Sequence, residues 1–556
     1  MTDESKKPYQ PGDEERKLYY YGIAGNPKLV ARTSCDPWVK PMHRLPSWGI
    51  RFGQTRKHFG AIRDEDEIVS KWTRDLSMMI VEVLEPYPWS YFFPVRIPLE
   101  VHEDKDPVLL SKKKAIEETR PIILLIAVTE NSMGWERGIE MALQCRDLLQ
   151  DHGIAIEVEV REGTSQRSAI SADLENQIDE TFWPSEKDEF LGGQSANTII
   201  APMLSQVGYP VGYLKDHFSY GTMGLHVVLG DDSKVYGLTC RHVVDSGQPL
   251  ERIYNVSTEQ HKQYHTHGTE FIIAQTLKEL RSYQDHVVTQ LSMLKTKKEG
   301  WDLIYSLDPE LYPTKRPTAD DEALIPILEA RSSYNGGLIE SLEKQMASSS
   351  SERVIGHVAF YPSFKVSTRT PGYLTDWALI ELDDHKYPKG FINKVVVDRW
   401  EGGVHLPCCL LKLRPREIQD GTIIKKSFYV AKRGAATKLT FGMTSAIEAV
   451  VREPKDDGQN SICWELLIVP YGGNSYFSKR GDSGSCVFDE SGDVIGMVVG
   501  NSQVNPPDDQ AVTQPKHKMS QCDDATDVTF AAPINRVFDD IRDFTGFKPR
   551  LVGYPE

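Results

Sequence analysis

From about Gly193 to residue 545 the chain is a succession of short apolar stretches, each bounded by Gly, Asp or Asn. They fall at 225–229, 235–238, 378–382, 426–431, 463–469, 486–488 and 494–499. Stretches this short, separated by turn-forming residues, predict strands rather than helices and constrain the region to an all-β sandwich or barrel. One segment breaks the pattern, from about 251 to 352. There Ile273, Leu277, Leu280, Val287, Leu291 and Leu294 recur at steps of four and three, with Gln284 in the one missing place. That spacing predicts a helix with a narrow apolar seam. Further helical stretches are expected over 324–328 and 338–346, before the run Ser348-Ser349-Ser350-Ser351 returns to the β region. The segment reads as a helical insertion, a hairpin whose seam packs on its own partner helix or docks another protein.

The chain of 556 residues is long enough for three or four domains. Residues 1–17 read as a polar tail. Residues 18–163 read as a small α/β domain of unassigned role. Its clearest part is the apolar run Ile122 to Val128, of strand length and suited to burial on both faces. A helix capped by Ser132 and running to about Leu149 is expected next, with Trp135, Ile139 and Leu143 near helical spacing. A second strand follows over 154–160, which completes a β-α-β unit without a phosphate-binding glycine loop. Residues 164–192 are polar and read as a linker.

Hydrophobic residues make up 40% of the chain, which excludes wholesale disorder. A net charge of -16 argues against a general nucleic-acid binder, whose affinity comes from a basic surface. None of the eight cysteines forms a C-x-x-C pair, so the thiols are expected to be free, with no metal centre and no cofactor. The polar N-terminus lacks the apolar core of a secretory signal, and Ile122 to Val128 is too short to span a bilayer. A cytoplasmic protein, with the nucleus as a second compartment, is the expectation.

Three local patterns carry chemistry. In Thr239-Cys240-Arg241-His242-Val243-Val244 an apolar strand ends at an imidazole on the edge of a packed layer. In Thr375-Asp376-Trp377-Ala378-Leu379 a carboxylate opens a strongly apolar strand, a costly position unless something pairs with it. In Arg480-Gly481-Asp482-Ser483-Gly484-Ser485 two glycines permit a tight turn. Its backbone N–H groups would converge on a developing oxyanion beside the Ser483 hydroxyl. Taken singly, each has a plain structural reading: a core histidine, a turn aspartate, a glycine-rich hairpin.

In that order, His, Asp and Gly-Asp-Ser-Gly, the trio resembles the chymotrypsin-like serine peptidases, and T-x-x-H-V-V is most similar to the intracellular, HtrA-type members. Other stretches resemble the family too. They are the glycine segment Gly221-Thr222-Met223-Gly224, the hairpin around Val430 to Gly442, and the last strand and helix from Thr529 to Ile541. The resemblance covers about 193–250 and 353–545. It implies a double β-barrel with Ser483 as nucleophile, His242 as general base and Asp376 as the group that orients it. It implies backbone N–H groups of Gly481 and Ser483 as the oxyanion hole, and Phe477 at the base of an apolar or shallow substrate pocket. Asp376 lies 107 positions before Ser483, against roughly 93 in the family order. The 134 positions from His242 to Asp376 exceed the family's roughly 45 by about the size of the helical insertion.

Secreted members pair the Asp before the nucleophile with a freed N-terminus, and no Ile-Val-Gly-Gly activation site is visible here. Asp482 therefore needs another partner, with Lys479, Arg480 or a distant residue as the options. His261, His265 and His267 lack a supporting carboxylate or thiol and read as a solvated loop. Cys240 reads as a strand thiol. The expected function is a serine endopeptidase acting on protein or peptide, regulated by its N-terminal domain or helical insertion, with no nucleic-acid or membrane partner. The rival is a catalytically idle peptidase fold serving as a protein-binding scaffold. An enzyme within 1–163 is set aside, since that region has no nucleophile, base and acid set.

Overall fold

The computed structural model describes residues 8–23, 25–44, 52–54, 56–97, 121–167, 207–213, 220–231, 233–244, 264–267, 270–307, 319–349, 352–367, 372–386, 393–397, 409–415, 426–454, 460–471, 476–503 and 528–552. The protein is mostly β, with two large sheets of thirteen and eight strands. No helix among the described residues is long and apolar enough to cross a membrane.

Ile122–Val128 shows why a continuous apolar run makes a doubly buried strand. It pairs in parallel with Glu157–Glu162 and antiparallel with Trp89–Arg96. Leu124, Ile126 and Val128 face the helices Arg74–Leu84 and Trp135–Asp151, while Ile123, Leu125 and Ala127 join the larger core on the other side. The β-α-β unit is present, with shifted limits. Its helix starts at Trp135 with Gly134 as N-cap, and Ser132 Oγ bonds back to Thr129 O instead of capping.

This sheet does not end with the N-terminal strands. Trp89–Arg96 pairs with Ala449–Pro454, with Phe92 opposite Val450, and the sheet continues through Asn460–Pro470, Lys438–Thr444, Tyr429–Gly434 and Cys486–Asp489 to Asp493–Gln503. The segment read as a linker opens with a strand of its own, Thr164–Arg167, paired antiparallel with Gly500 to Gln503; residues 168–192 lie outside the described residues.

The eight-stranded sheet runs Pro549–Leu551, Leu225–Leu229, Tyr236–Thr239, Ala378–Leu382, Val354–Phe360, Tyr264–His267, Tyr209–Tyr213, Tyr220–Met223. Tyr264–His267 corrects one expectation. These residues are a strand, and His265 is fully buried against the Tyr213 ring, with Thr266 buried beside it. His261 lies outside the described residues.

Two long helices, Glu270–Leu307 and Ala319–Ala347, pack on each other. The second is one element where two pieces were expected, and it carries Pro326 inside it. Gln284, the polar place in the seam, donates to Ser332 Oγ at 2.9 Å on the partner helix. At the base of the pair, Ile272, Ile273, Leu277, Leu280 and Leu342 form a cluster with Tyr220 and Ala435.

Candidate active site

The strand Tyr236–Thr239 is held between Leu225–Leu229 and Ala378–Leu382, and the chain then tightens into the helical turn Arg241–Val244. His242 therefore leaves the sheet on a turn, rather than at a strand end. Asp376, two residues before the strand Ala378–Leu382, comes to the same end of the sheet. His242 Nδ1 lies 2.7 Å from Asp376 Oδ2, and the His242 backbone N–H donates to Oδ1 at 3.2 Å. The carboxylate side chain is 1% exposed and the imidazole 15%. A carboxylate so dry is costly unless paired, and both its oxygens are engaged by the same histidine. Because the carboxylate only accepts, the neutral imidazole carries its proton on Nδ1 and keeps a lone pair on Nε2. Nε2 makes no hydrogen bond among the described residues.

The turn bearing Ser483 is clamped from three sides. Thr222 N–H donates to Ser483 O at 2.8 Å, and Gly484 N–H donates to Val498 O at 2.8 Å. Gly484, at φ +91°, lies so close to Thr222 O and Thr239 Oγ1 that a Cβ there would meet both well inside contact distance. Cys240 Sγ–H donates to the same Val498 O at 3.2 Å. The Ser483 turn thus sits against the segment 239–240 that delivers His242, and the two large sheets meet at this point. Gly224 is the other half of the clamp, since a Cβ on it would collide with Gly484 O.

Asp482 is the most heavily bonded group in the turn. Its Oδ1 accepts from Ala436 N–H at 3.0 Å and Thr437 N–H at 3.1 Å. Its Oδ2 accepts from the Thr437 hydroxyl at 2.6 Å and Lys479 N–H at 2.9 Å. The charge partner is Lys432, whose Nζ stands 3.1 Å from Oδ2 with both side chains fully buried. Burial pushes the Lys432 ammonium below its ordinary pKa, and the Asp482 charge pulls it back up. Sequence reasoning missed Lys432 because it lies fifty positions away. The signal was there, as a lysine directly after the apolar pair Val430-Ala431 of the strand Tyr429–Gly434.

Two further links tie this turn to its surroundings. Thr222 Oγ1 donates to Gly481 O at 2.8 Å and accepts from Ala435 N–H at 2.9 Å. A Cβ on Gly481, at φ +94°, would press into the Tyr220 ring. Tyr220 and Ala435 are the two residues on which the base of the helical pair packs, and Lys438 in the same hairpin pairs with Glu279 of the first long helix.

Phe477, expected at the base of a substrate pocket, is fully buried in a cluster with Val430, Leu466, Ile468, Val487, Ile495, Val498 and Ala531. Gly442, on a neighbouring strand, has no Cβ and makes room for the Phe477 ring. Cys240, His242 and Asp376 bring a thiol, an imidazole and a carboxylate within 4.8 Å of one another, as a metal site would. The thiol is bonded to Val498 O and both carboxylate oxygens to His242, so the donor atoms are already committed to one another and to the backbone.

No family model matches this chain, and no curated protein matches it. Among solved structures, one described as a glutamic acid specific serine protease that utilizes a novel histidine triad in substrate binding aligns at 12% identity. The alignment covers 62% of this chain and 99% of that one, with a TM-score of 0.27. An alpha-lytic protease homolog, N4, aligns at 10% identity over 60% of this chain and 96% of that one, with a TM-score of 0.24.

Proposed function

We propose that the protein is a chymotrypsin-fold serine endopeptidase, with His242, Asp376 and Ser483 as its catalytic residues. The observation that carries the reading is the His242–Asp376 pair. Asp376 accepts a hydrogen bond from Nδ1–H, which leaves Nε2 as the base, on a turn two residues beyond the Cys240 backbone that Gly484 abuts. Ser483 Oγ attacks the scissile carbonyl carbon as His242 Nε2 removes its proton. The carbonyl oxygen becomes an oxyanion, met by the backbone N–H groups of Gly481 and Ser483. His242 then protonates the leaving amine, and the same base activates water to release the acyl group from Ser483. Asp376 stabilises the imidazolium throughout and stays ionised.

Asp482 has an internal cation, Lys432, so the turn needs no freed N-terminus to hold its shape. This supports an enzyme that is organised without N-terminal cleavage, and its histidine motif resembles that of the HtrA-type members. In this reading residues 193–545 form the peptidase unit, with the helical pair inserted in its first half.

A serine-reactive fluorophosphonate tests the proposal. Labelling of the full chain is expected, with loss in Ser483→Ala and marked slowing in His242→Ala. A folded protein that takes no label overturns the enzyme reading and leaves the idle scaffold.

A further inference from the structure

The strand Asp493–Gln503 has two edges. Thr529–Pro533 takes one of them from Gly496 to Asn501, with a shift of register at Val499. Partners on the other edge change along its length. Cys486–Asp489 pairs from Val494 to Met497, and the ladder then passes into the nucleophile turn, where Val498 N–H donates to Ser485 O and Gly484 N–H to Val498 O. The next partner on that edge is Thr164–Arg167, with Arg167 opposite Gly500, Gln166 opposite Asn501, Ser165 opposite Ser502 and Thr164 opposite Gln503. Only Val499 separates the two partners. At about 3.3 Å per residue, Gly500 is roughly 7 Å along the strand from the residue bonded to Gly484. The pairing is antiparallel, so this segment runs, N to C, toward Ser483.

An endopeptidase must hold its substrate extended, and a free strand edge beside the nucleophile does this by backbone pairing, largely without regard to sequence. We infer that Thr164–Arg167 is an internal strand occupying the edge that a peptide substrate would take, so that the site is filled from within until this segment withdraws. The inference rests on the peptidase reading for what it means, and on the strand ladder for its geometry. The competitor is tethered closely. Gly163 alone separates it from the strand Glu157–Glu162, and Gly163 N–H is itself bonded to Val128 O at 2.9 Å. Such a tether presents the segment at an effective concentration of about millimolar or more, enough to exclude weakly bound peptides.

Ser165→Pro combined with Gln166→Pro places proline at two consecutive positions of this ladder, one of whose N–H groups faces Asp493–Gln503, and so breaks the pairing and tests the inference. In a Ser483→Ala background, a fluorescein-labelled peptide copying residues 162–167 should bind the double-proline chain by anisotropy and fail to bind the chain with its own strand intact. In the otherwise unaltered enzyme, the double-proline change should raise kcat/KM on fluorescent casein about tenfold or more. Labelling by a small fluorophosphonate, which needs no strand edge, should change less than twofold. If near-UV circular dichroism shows that the double-proline chain is unfolded, Ser165→Gly with Gln166→Gly takes its place, with the same outcomes expected. Labelling with neither peptide capture nor faster casein cleavage overturns the internal strand and leaves the peptidase. Peptide capture without any labelling sinks the peptidase reading and leaves the occupied edge standing.

Discussion

Lys432 Nζ stands 3.1 Å from Asp482 Oδ2, with both side chains fully withdrawn from solvent. Removing one member of such a pair leaves an uncompensated buried charge, at a cost of about 3–5 kcal/mol. Lys432→Met should therefore lose about that much unfolding free energy in urea. Lys432→Met combined with Asp482→Asn removes both charges and should recover part of the loss, as a coupling of about 0.5–3 kcal/mol in the double-mutant cycle. Strict additivity would show that the two charges do not depend on each other.

At His242 the two oxygens of Asp376 have separate duties, one on the backbone N–H and one on the ring. In Asp376→Asn the amide oxygen stays with the backbone donor and its NH2 faces Nδ1. The ring is thereby driven to the tautomer with its proton on Nε2, which cannot act as base. Turnover of a peptide substrate should fall about 10,000-fold with little change in KM.

The close approach at Gly484 predicts a steric result. Gly484→Ala combines a φ of +91° with collision against Thr222 O and Thr239 Oγ1. It should cost about 3 kcal/mol or more and abolish fluorophosphonate labelling. Gly336 is the contrast, a helical glycine with nothing within 4 Å of an added Cβ. Gly336→Ala should stabilise the protein by about 0.4–1 kcal/mol in the same measurement.

The seat of the long helices separates burial from charge. Leu280 is fully buried in the cluster with Tyr220, whereas Glu279 and Lys438 form a pair about a quarter exposed. Leu280→Ala should cost about 2–5 kcal/mol, and Glu279→Ala less than about 1 kcal/mol. Comparable losses in urea titrations of the two variants would contradict the packing described.

Asp540 gives a pH signature. Desolvation holds its carboxyl above the ordinary value of 3.8, against the opposing bonds from Trp377 and Ser367. The native state keeps this proton after the unfolded chain has released it. The associated stability is therefore fully present below pH 3.8 and is lost as pH rises through the raised value. Asp540→Asn keeps an acceptor for Trp377 Nε1–H, which lies 2.9 Å from Oδ2, and removes the titration. The difference in unfolding free energy between wild type and variant should slope with pH in that window and flatten above it.

Local chemistry along the chain was enough to mark the short strands, the heptad helix and the three segments bearing His242, Asp376 and Ser483. Apolar periodicity and glycine-flanked turns are near-neighbour properties, and they survive folding unchanged. Partnerships between distant segments were decided only in three dimensions. Lys432 meets Asp482 because the hairpin from Tyr429 to Thr444 folds back over the turn that bears Ser483. Phe477 turns inward because Gly442 leaves room for its ring. Thr164–Arg167, polar and unremarkable in one dimension, becomes a strand because the edge of Asp493–Gln503 presents it with backbone partners. A residue's type sets what it can bond to, but a ladder edge, a buried cation or a gap for a ring exists only after other parts of the chain have packed.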